Sequence, residues 1–280
     1  MTSWRLTLRE QPAFKLDLRG VTPDALAGLG AGEVEHLPLA HGRALTLLGE
    51  WFRVEAIDAS DAQPVLQLVG DLGRVDQIGC RMTAGQLLVD GDAGDGVGTQ
   101  LRGGVIRVQG RAGQGVAREM AGGELHVAGD VGDFAASTLP GSLDGMRGGL
   151  LHIRGCAGDR LADRMRRGTV IVEGDAGDFT ASRLVAGTLV LGGRCGAHPA
   201  YGMRRGTLLW ADPAAREATP LPSTFVPGQV DVRVFWQLLA RELARLGAGS
   251  SLLRELPRRT IERHLGDLAV DGKGEVIFVR

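Results

Sequence analysis

The chain repeats one unit seven times, and no other feature constrains its fold as tightly. The unit is Met or Leu, a Gly three residues on, an apolar–variable–apolar triplet, and a Gly-x-x-Gly corner. It reads MTAGQLLVDGDAG from Met82, LRGGVIRVQGRAG from Leu101, MAGGELHVAGDVG from Met120 and MRGGLLHIRGCAG from Met146. It continues as MRRGTVIVEGDAG from Met165, LVAGTLVLGGRCG from Leu184 and MRRGTLLWADPAA from Met203. Anchor-to-anchor steps are 19, 19, 26, 19, 19 and 19 residues. A degenerate copy, VLQLVGDLG, stands at 65–73, and Gly49 lies another 21 residues before Gly70. Such a period marks stacked architectures, because one unit alone cannot bury its apolar face.

The apolar pairs (Leu87/Val89, Ile106/Val108, Leu125/Val127, Leu151/Ile153, Val170/Val172, Leu189/Leu191, Leu208/Trp210) alternate with period two, so both members face one side of a short strand. Stacking each strand on its equivalent one coil away, about 4.8 Å along the axis, pairs every strand. The expected fold is mainly all-β: a right-handed parallel β-helix of about 19-residue Gly-rich coils. Gly91, Gly94, Gly110, Gly113, Gly174 and Gly177 read as corners that reach positive φ. A phosphate cradle at VDGDAGDGVG is rejected, since the next strand starts too soon for a crossover helix. Met82, Met120, Met146, Met165 and Met203, with Leu101 and Leu184 in the gaps, read as a ladder inside the coils rather than a cofactor lining.

Three regions follow. Residues 1–64 hold short strands and a helix at TPDALAGLG, with Thr22 as N-cap and Pro23 at N1, and cap the open strand edges. Residues 65–212 are the repeat domain; Asp212 replaces Gly in the last copy and marks its end. Residues 213–280 are a Pro-rich connector, two helices and a final strand. Val232, Phe235, Leu239, Leu243 and Leu246 form the apolar stripe of the first helix. LPRRTIERHLGDL reads as the second, starting near Pro257, and GEVIFVR as the strand. The seven-residue excess of the third step falls in TLPGSLDG, 138–145, either a contact loop or a surface bulge.

The search for chemistry ends without an active site. Net charge is −1, which offers no global field for nucleic acid. Cys80, Cys156 and Cys195 are odd in number and form no C-x-x-C, which fits a reducing compartment. No uncharged apolar run approaches the roughly 18 residues of a membrane span, and MTSWRLTLRE has no apolar leader core. His126 and His152 share a register on adjacent coils, either two metal ligands or an outward surface pair. Asp92, Asp130 and Asp175, with Asp95, Asp133, Asp159 and Asp178 three residues on, read as corner residues bonding their own backbone rather than as acid–base or Ca²⁺ groups. Outward Leu88, Ile171, Val190 and Leu209 are apolar and read as an interface with partner subunits. Arg102, Arg147, Arg166 and Arg204 follow the ladder position, with Arg167 and Arg205 one residue on, and form a basic stripe. The stripe is a solvated edge, a dock for an acidic partner surface, or a site for a polyanion.

Seven copies of Met/Leu-x-x-Gly-x-h-x-h behind a capping region resemble the C subunit of the formylmethanofuran dehydrogenase family. The Arg-rich, Lys-poor composition suits a GC-rich bacterial genome, and in style the chain is most similar to the C subunit of the bacterial formyltransferase/hydrolase complex. The repeats from about 65 to 212 carry the resemblance, and the same glycine pattern resembles the C-terminal domain of glutamate synthase. The resemblance implies a cytoplasmic, non-catalytic structural subunit in one-carbon metabolism, beside transferase and hydrolase subunits. That complex moves a formyl group from formyl-tetrahydromethanopterin to methylofuran and hydrolyses it to formate, in formaldehyde oxidation. The expectation is then no catalytic residue, metal or cofactor in this chain, with methylofuran and zinc in the partner subunits, and neither nucleic acid nor membrane as a partner. The resemblance also implies a polyglutamate tail on methylofuran, for which Arg147, Arg166 and Arg204 are the candidate contacts. The alternatives are the C subunit of a molybdenum or tungsten formylmethanofuran dehydrogenase, and a β-helix scaffold related to glutamate synthase. A free-standing β-helix acting on polysaccharide would need stacking aromatics, but Tyr201 is the only tyrosine and the strands carry no aromatic stripe.

Overall fold

A computed structural model describes residues 2–58, 63–219, 221–230, 232–247 and 249–280. Each repeat unit supplies one strand to a 13-stranded sheet. From Val65–Val69 through Gln86–Asp90, Val105–Val108, Glu124–Val127, Arg147–Ile153, Arg167–Val172 and Thr188–Leu191 to Thr207–Trp210, neighbours pair in parallel. The register carries Leu87, Ile106, Leu125, Leu151, Val170, Leu189 and Leu208 across one row. All seven are fully buried. A second parallel line of bridges joins Leu72, Ala93, Ala112, Val131, Ala157, Ala176 and Cys195. A third line uses left-handed residues: Gln100, Glu119, Arg164 and Arg183 each donate N–H to the carbonyl of Arg118, Ser137, Ser182 or Tyr201 in the next unit. Each unit therefore spends its backbone groups on its neighbours.

The inward side chains from these lines make one core, in which every ladder Met and Leu is fully buried. The ladder explains the first glycine of the motif. Gly149 has φ +88°, and a Cβ there would lie 2.6 Å from both Gly123 O and Met120 Cε. The methionine methyl of one unit thus occupies the space that the glycine of the next leaves open. The corner glycines differ from expectation: of the six, only Gly91 has positive φ. At Gly110, Gly113 and Gly177 a Cβ would run into the carboxylate of Asp92, Asp95 or Asp159 in the preceding unit. Close approach between units, rather than handedness, demands glycine there.

At the N-terminal end, Ser3–Leu8 pairs parallel with Val65–Val69 and antiparallel with Phe52–Ile57. The helix Pro23–Leu26 has Thr22 at its N-cap position, without a side-chain cap bond, and Trp4 Nε1 donates to Leu26 O. Gly49 lies in the short helix Leu48–Trp51 and belongs to no repeat strand.

At the other end the second expected helix is corrected. Only a short 3₁₀ turn, Leu256–Arg258, precedes the strand Ile261–Gly266, and a short helix, Ser251–Glu255, comes before both. That strand pairs antiparallel with Gly274–Val279, which extends the parallel sheet beyond Thr207–Trp210. An unpaired sheet edge outweighs local helix preference here, and Arg263 Nε on Glu275 at 2.7 Å fixes the pairing.

The helix Arg233–Leu246 lies over the outer face of this half of the sheet. Its apolar stripe is in part the expected one: Leu243 is buried and Leu239 and Leu246 pack against the same cluster, but Phe235 is 41% exposed, and Trp236 and Ala240 are buried beside Leu243. They pack with Ile171, Val190, Leu209 and Ile277. Three of the four outward apolar residues read as a partner interface are therefore fully covered by the chain's own tail, each worth roughly 1.5–3 kcal/mol of burial. Leu88 lies outside this cluster and is half-buried.

Candidate functional site: an arginine-lined edge

The residue after each ladder position must turn outward, because the ladder side chain points in. Backbone bonds fix these residues to the preceding unit: Arg102 N donates to Met82 O, Arg147 N to Met120 O, Arg166 N to Met146 O and Arg204 N to Leu184 O. All four side chains are exposed. The structure brings Arg147, Arg166 and Arg204 together in one groove of about 590 Å³, with Arg167 and Arg205 beside them and Val185 and Ala186 as its floor. Arg102 is not part of that groove. A second groove, about 650 Å³, shares Arg166, Val185 and Arg204 and adds Arg164, Arg183 and Tyr201.

Little of this charge is neutralised locally. Arg166 Nε meets Asp144 Oδ1, and Arg147 reaches Glu119 Oε2 only at 3.9 Å. Arg167, Arg204 and Arg205 make no ion pair among the described residues. Guanidinium groups in a row suit carboxylates, which they grip through paired N–H donors. Among the described residues the first groove is lined by arginines and two apolar side chains, and only Asp267 adds a carboxylate to the lining of the second, so the geometry is one for holding an anion. The partner Asp144, on the inserted loop, carries no sequence signal beyond the length of that insertion.

The other candidates resolve differently. His126 and His152 stand with ring centroids 5.9 Å apart. Each Nε2 is engaged by a carboxylate, Glu124 at 3.1 Å and Glu173 at 2.8 Å. Burial pushes the His126 pKa down against the pull of Glu124. His152 is 5% exposed, so the expected surface pair is half interior; its strand also sends Leu150 into the cluster under the C-terminal tail. No cluster of three or more His, Cys, Asp or Glu suited to a metal occurs among the described residues.

The aspartates form a structural ladder, but not by bonding their own backbone. Each Oδ1 accepts an N–H from the next unit: Arg111 N to Asp92, Gln114 N to Asp95, Asp159 N to Asp133, Asp178 N to Asp159 and Arg194 N to Asp175, at 2.7–2.9 Å. The Arg111 N–H holds the Asp92 carboxyl below its usual range. The three cysteines are unpaired. Burial pushes Cys195 up to about 11, far from a reactive thiolate.

Comparison with known proteins agrees with this architecture. The GXGXG motif family model matches residues 76–226. The C subunit of the tungsten-containing formylmethanofuran dehydrogenase 2 of Methanothermobacter thermautotrophicus is 34% identical over 88 residues, 31% of this chain and 33% of that one. The Fhc C subunit of the formyltransferase/hydrolase complex of Methylorubrum extorquens is 40% identical over 89 residues, 32% of each chain. The matched segment thus spans about a third of these curated relatives. A chain in the crystal structure of the formyltransferase/hydrolase complex (FhcABCD) from Methylorubrum extorquens, in complex with methylofuran, superposes with a TM-score of 0.86 at 38% identity. That match covers 98% of both chains. The chain accordingly belongs to the GXGXG motif family and is a relative of the C subunits of formylmethanofuran dehydrogenases and of the formyltransferase/hydrolase complex.

Proposed function

We propose that this chain is the non-catalytic structural subunit of a complex that transfers a formyl group from formyl-tetrahydromethanopterin to methylofuran and hydrolyses it to formate. The end-to-end match to a chain of FhcABCD carries the reading. Its partners are the transferase and hydrolase subunits, in the cytoplasm; no helix among the described residues is long and apolar enough to cross a membrane. Methylofuran and zinc belong to those partners. The archaeal dehydrogenase reading rests on matches to about a third of the chain and is second. The test is co-expression of the chain with transferase and hydrolase subunits, and with each set alone. The complex should assemble and turn over with the chain, while the pure chain should do neither reaction. Formyl transfer or hydrolysis by the isolated chain would refute the reading.

The repeats are read as a right-handed parallel β-helix over 65–212, capped by 1–64 and closed by 213–280. The three inter-unit hydrogen-bond lines around one core support this. Arg147, Arg166 and Arg204 are proposed to hold the anionic tail of a methylofuran-type cofactor. Their exposed, largely unpaired guanidiniums in one groove fit a chain of carboxylates. The cofactor supplies the formyl-accepting group when bound; these arginines hold and orient only its tail.

A further inference from the structure

The basic edge continues beyond the three arginines, and the inserted loop crosses it. The groove at Arg166 and Arg204 runs into the one lined by Arg164 and Arg183. A third groove of about 570 Å³ shares Arg164 and Arg183 and continues to Arg160 and Arg118. Asp163 holds Arg183 at 2.8 and 3.0 Å, and Arg160 and Arg118 lie over the rings of Phe179 and Phe134. Arg164 makes no ion pair among the described residues. Loop 138–145 forms a wall of both outer grooves, through Thr138–Ser142 in one and Leu143 in the other.

Two carboxylates tie this loop to the stripe, and they differ. Glu119 is buried and accepts from Gln100 Nε2 at 3.0 Å and from the loop's Leu139 N at 3.4 Å. It anchors the start of the loop. Asp144 is carried by the loop itself, its side chain is 38% exposed, and its carboxylate sits on Arg166, which with Arg204 is shared by the first two grooves. An exposed ion pair is weak and exchangeable. We propose that Asp144 is a built-in competitor: it occupies Arg166 until a ligand bearing a run of carboxylates displaces it and lies along one track from Arg147 to Arg118. This rests on the reading of the basic edge given above. From Arg147 to Arg204 is three unit spacings, about 14 Å, which roughly four extended residues span. A longer chain reaches the outer arginines.

The probes are fluorescent oligoglutamates of about four and about twelve residues, spanning roughly 14 and 40 Å when extended. They are titrated at low salt into the full-length chain. Asp144→Asn should bind both about two- to fivefold more tightly than wild type, and Asp144→Glu, which restores the competitor, should bind like wild type. Placed on Arg166→Ala, the Asn substitution should give no gain. Arg118→Ala/Arg160→Ala should weaken the long probe and spare the short one. Equal affinity of wild type and Asp144→Asn overturns the inference while leaving the basic edge as the ligand site, as does a gain that persists without Arg166. Absence of binding by wild type and Asp144→Asn alike removes the basic-edge reading, and the competitor falls with it.

Discussion

The acidic corner and the basic edge are built from the same repeat, by charges that recur at fixed positions in several units, yet they end in opposite states. At the corner each aspartate is consumed: Asp95, Asp133 and Asp159 accept the N–H of Gln114, Asp159 and Asp178. At the edge Arg167, Arg204 and Arg205 have no carboxylate partner among the described residues. A charge whose capacity is filled by the backbone of the next unit is part of the structure. A charge left with its donors open is available to something outside. The repeat alone does not separate the two; the neighbour that each side chain meets does.

Substitutions can break this contrast. The largest effect is expected from Gly177→Ala, whose methyl would push the Asp159 carboxylate off its rung. Overpacking and the lost bonds together should cost about 3 kcal/mol or more in denaturant unfolding. Asp159→Ala leaves the Asp178 N–H without its acceptor and should cost about 1–3 kcal/mol. A cost below that of Arg204→Ala would show that the ladder is decorative. Acid sharpens the contrast further. The folded pKa of Asp92 is depressed below the ordinary 3.8 by the Arg111 N–H. At Asp95 burial works the other way, but bonds from Lys15 and the Gln114 N–H prevail and its pKa is also depressed. The stability they contribute is therefore complete above the unfolded value and lost as pH falls through the folded ones. Asp92→Asn/Asp95→Asn should flatten the acid limb of stability against pH, and an unchanged limb would place its cause elsewhere. The smallest stability effect belongs to Arg147→Ala/Arg166→Ala/Arg204→Ala, under about 1 kcal/mol per site. In the assembled complex this variant should show a raised KM for the cofactor and a shallower salt dependence. An unchanged KM would leave the edge without a ligand.

What was legible in the sequence was whatever repeats. The alternation at Leu125/Val127 or Val170/Val172 reports a buried strand face directly, and seven copies fix the register. Met120 and Met165 could be assigned inward because their position recurs. Non-recurring contacts were hidden. Ile171, Val190 and Leu209 announced an apolar outer face, but nothing in their pattern says that Trp236 and Leu243 cover it. The stretch after Pro257 reads as helix locally and becomes strand because Gly274–Val279 offers it an edge. For the candidate site, the row Arg147–Arg166–Arg204 was visible from register alone. Asp144 was not, since its reach to Arg166 depends on the fold of an insertion that occurs once.

The seat of the Met120 methyl against Gly149 has a consequence for how such a chain changes length. Adding or losing a whole 19-residue unit keeps every methyl opposite a glycine. One extra residue inside Arg167–Val172 would turn Ile171 inward and Val170 and Val172 outward. Length is thus quantised, and new material enters only where the path leaves the core. Residues 138–144, none of them buried, occupy such a place; there seven residues were added without shifting the rows on either side, and the addition set Asp144 against the basic edge.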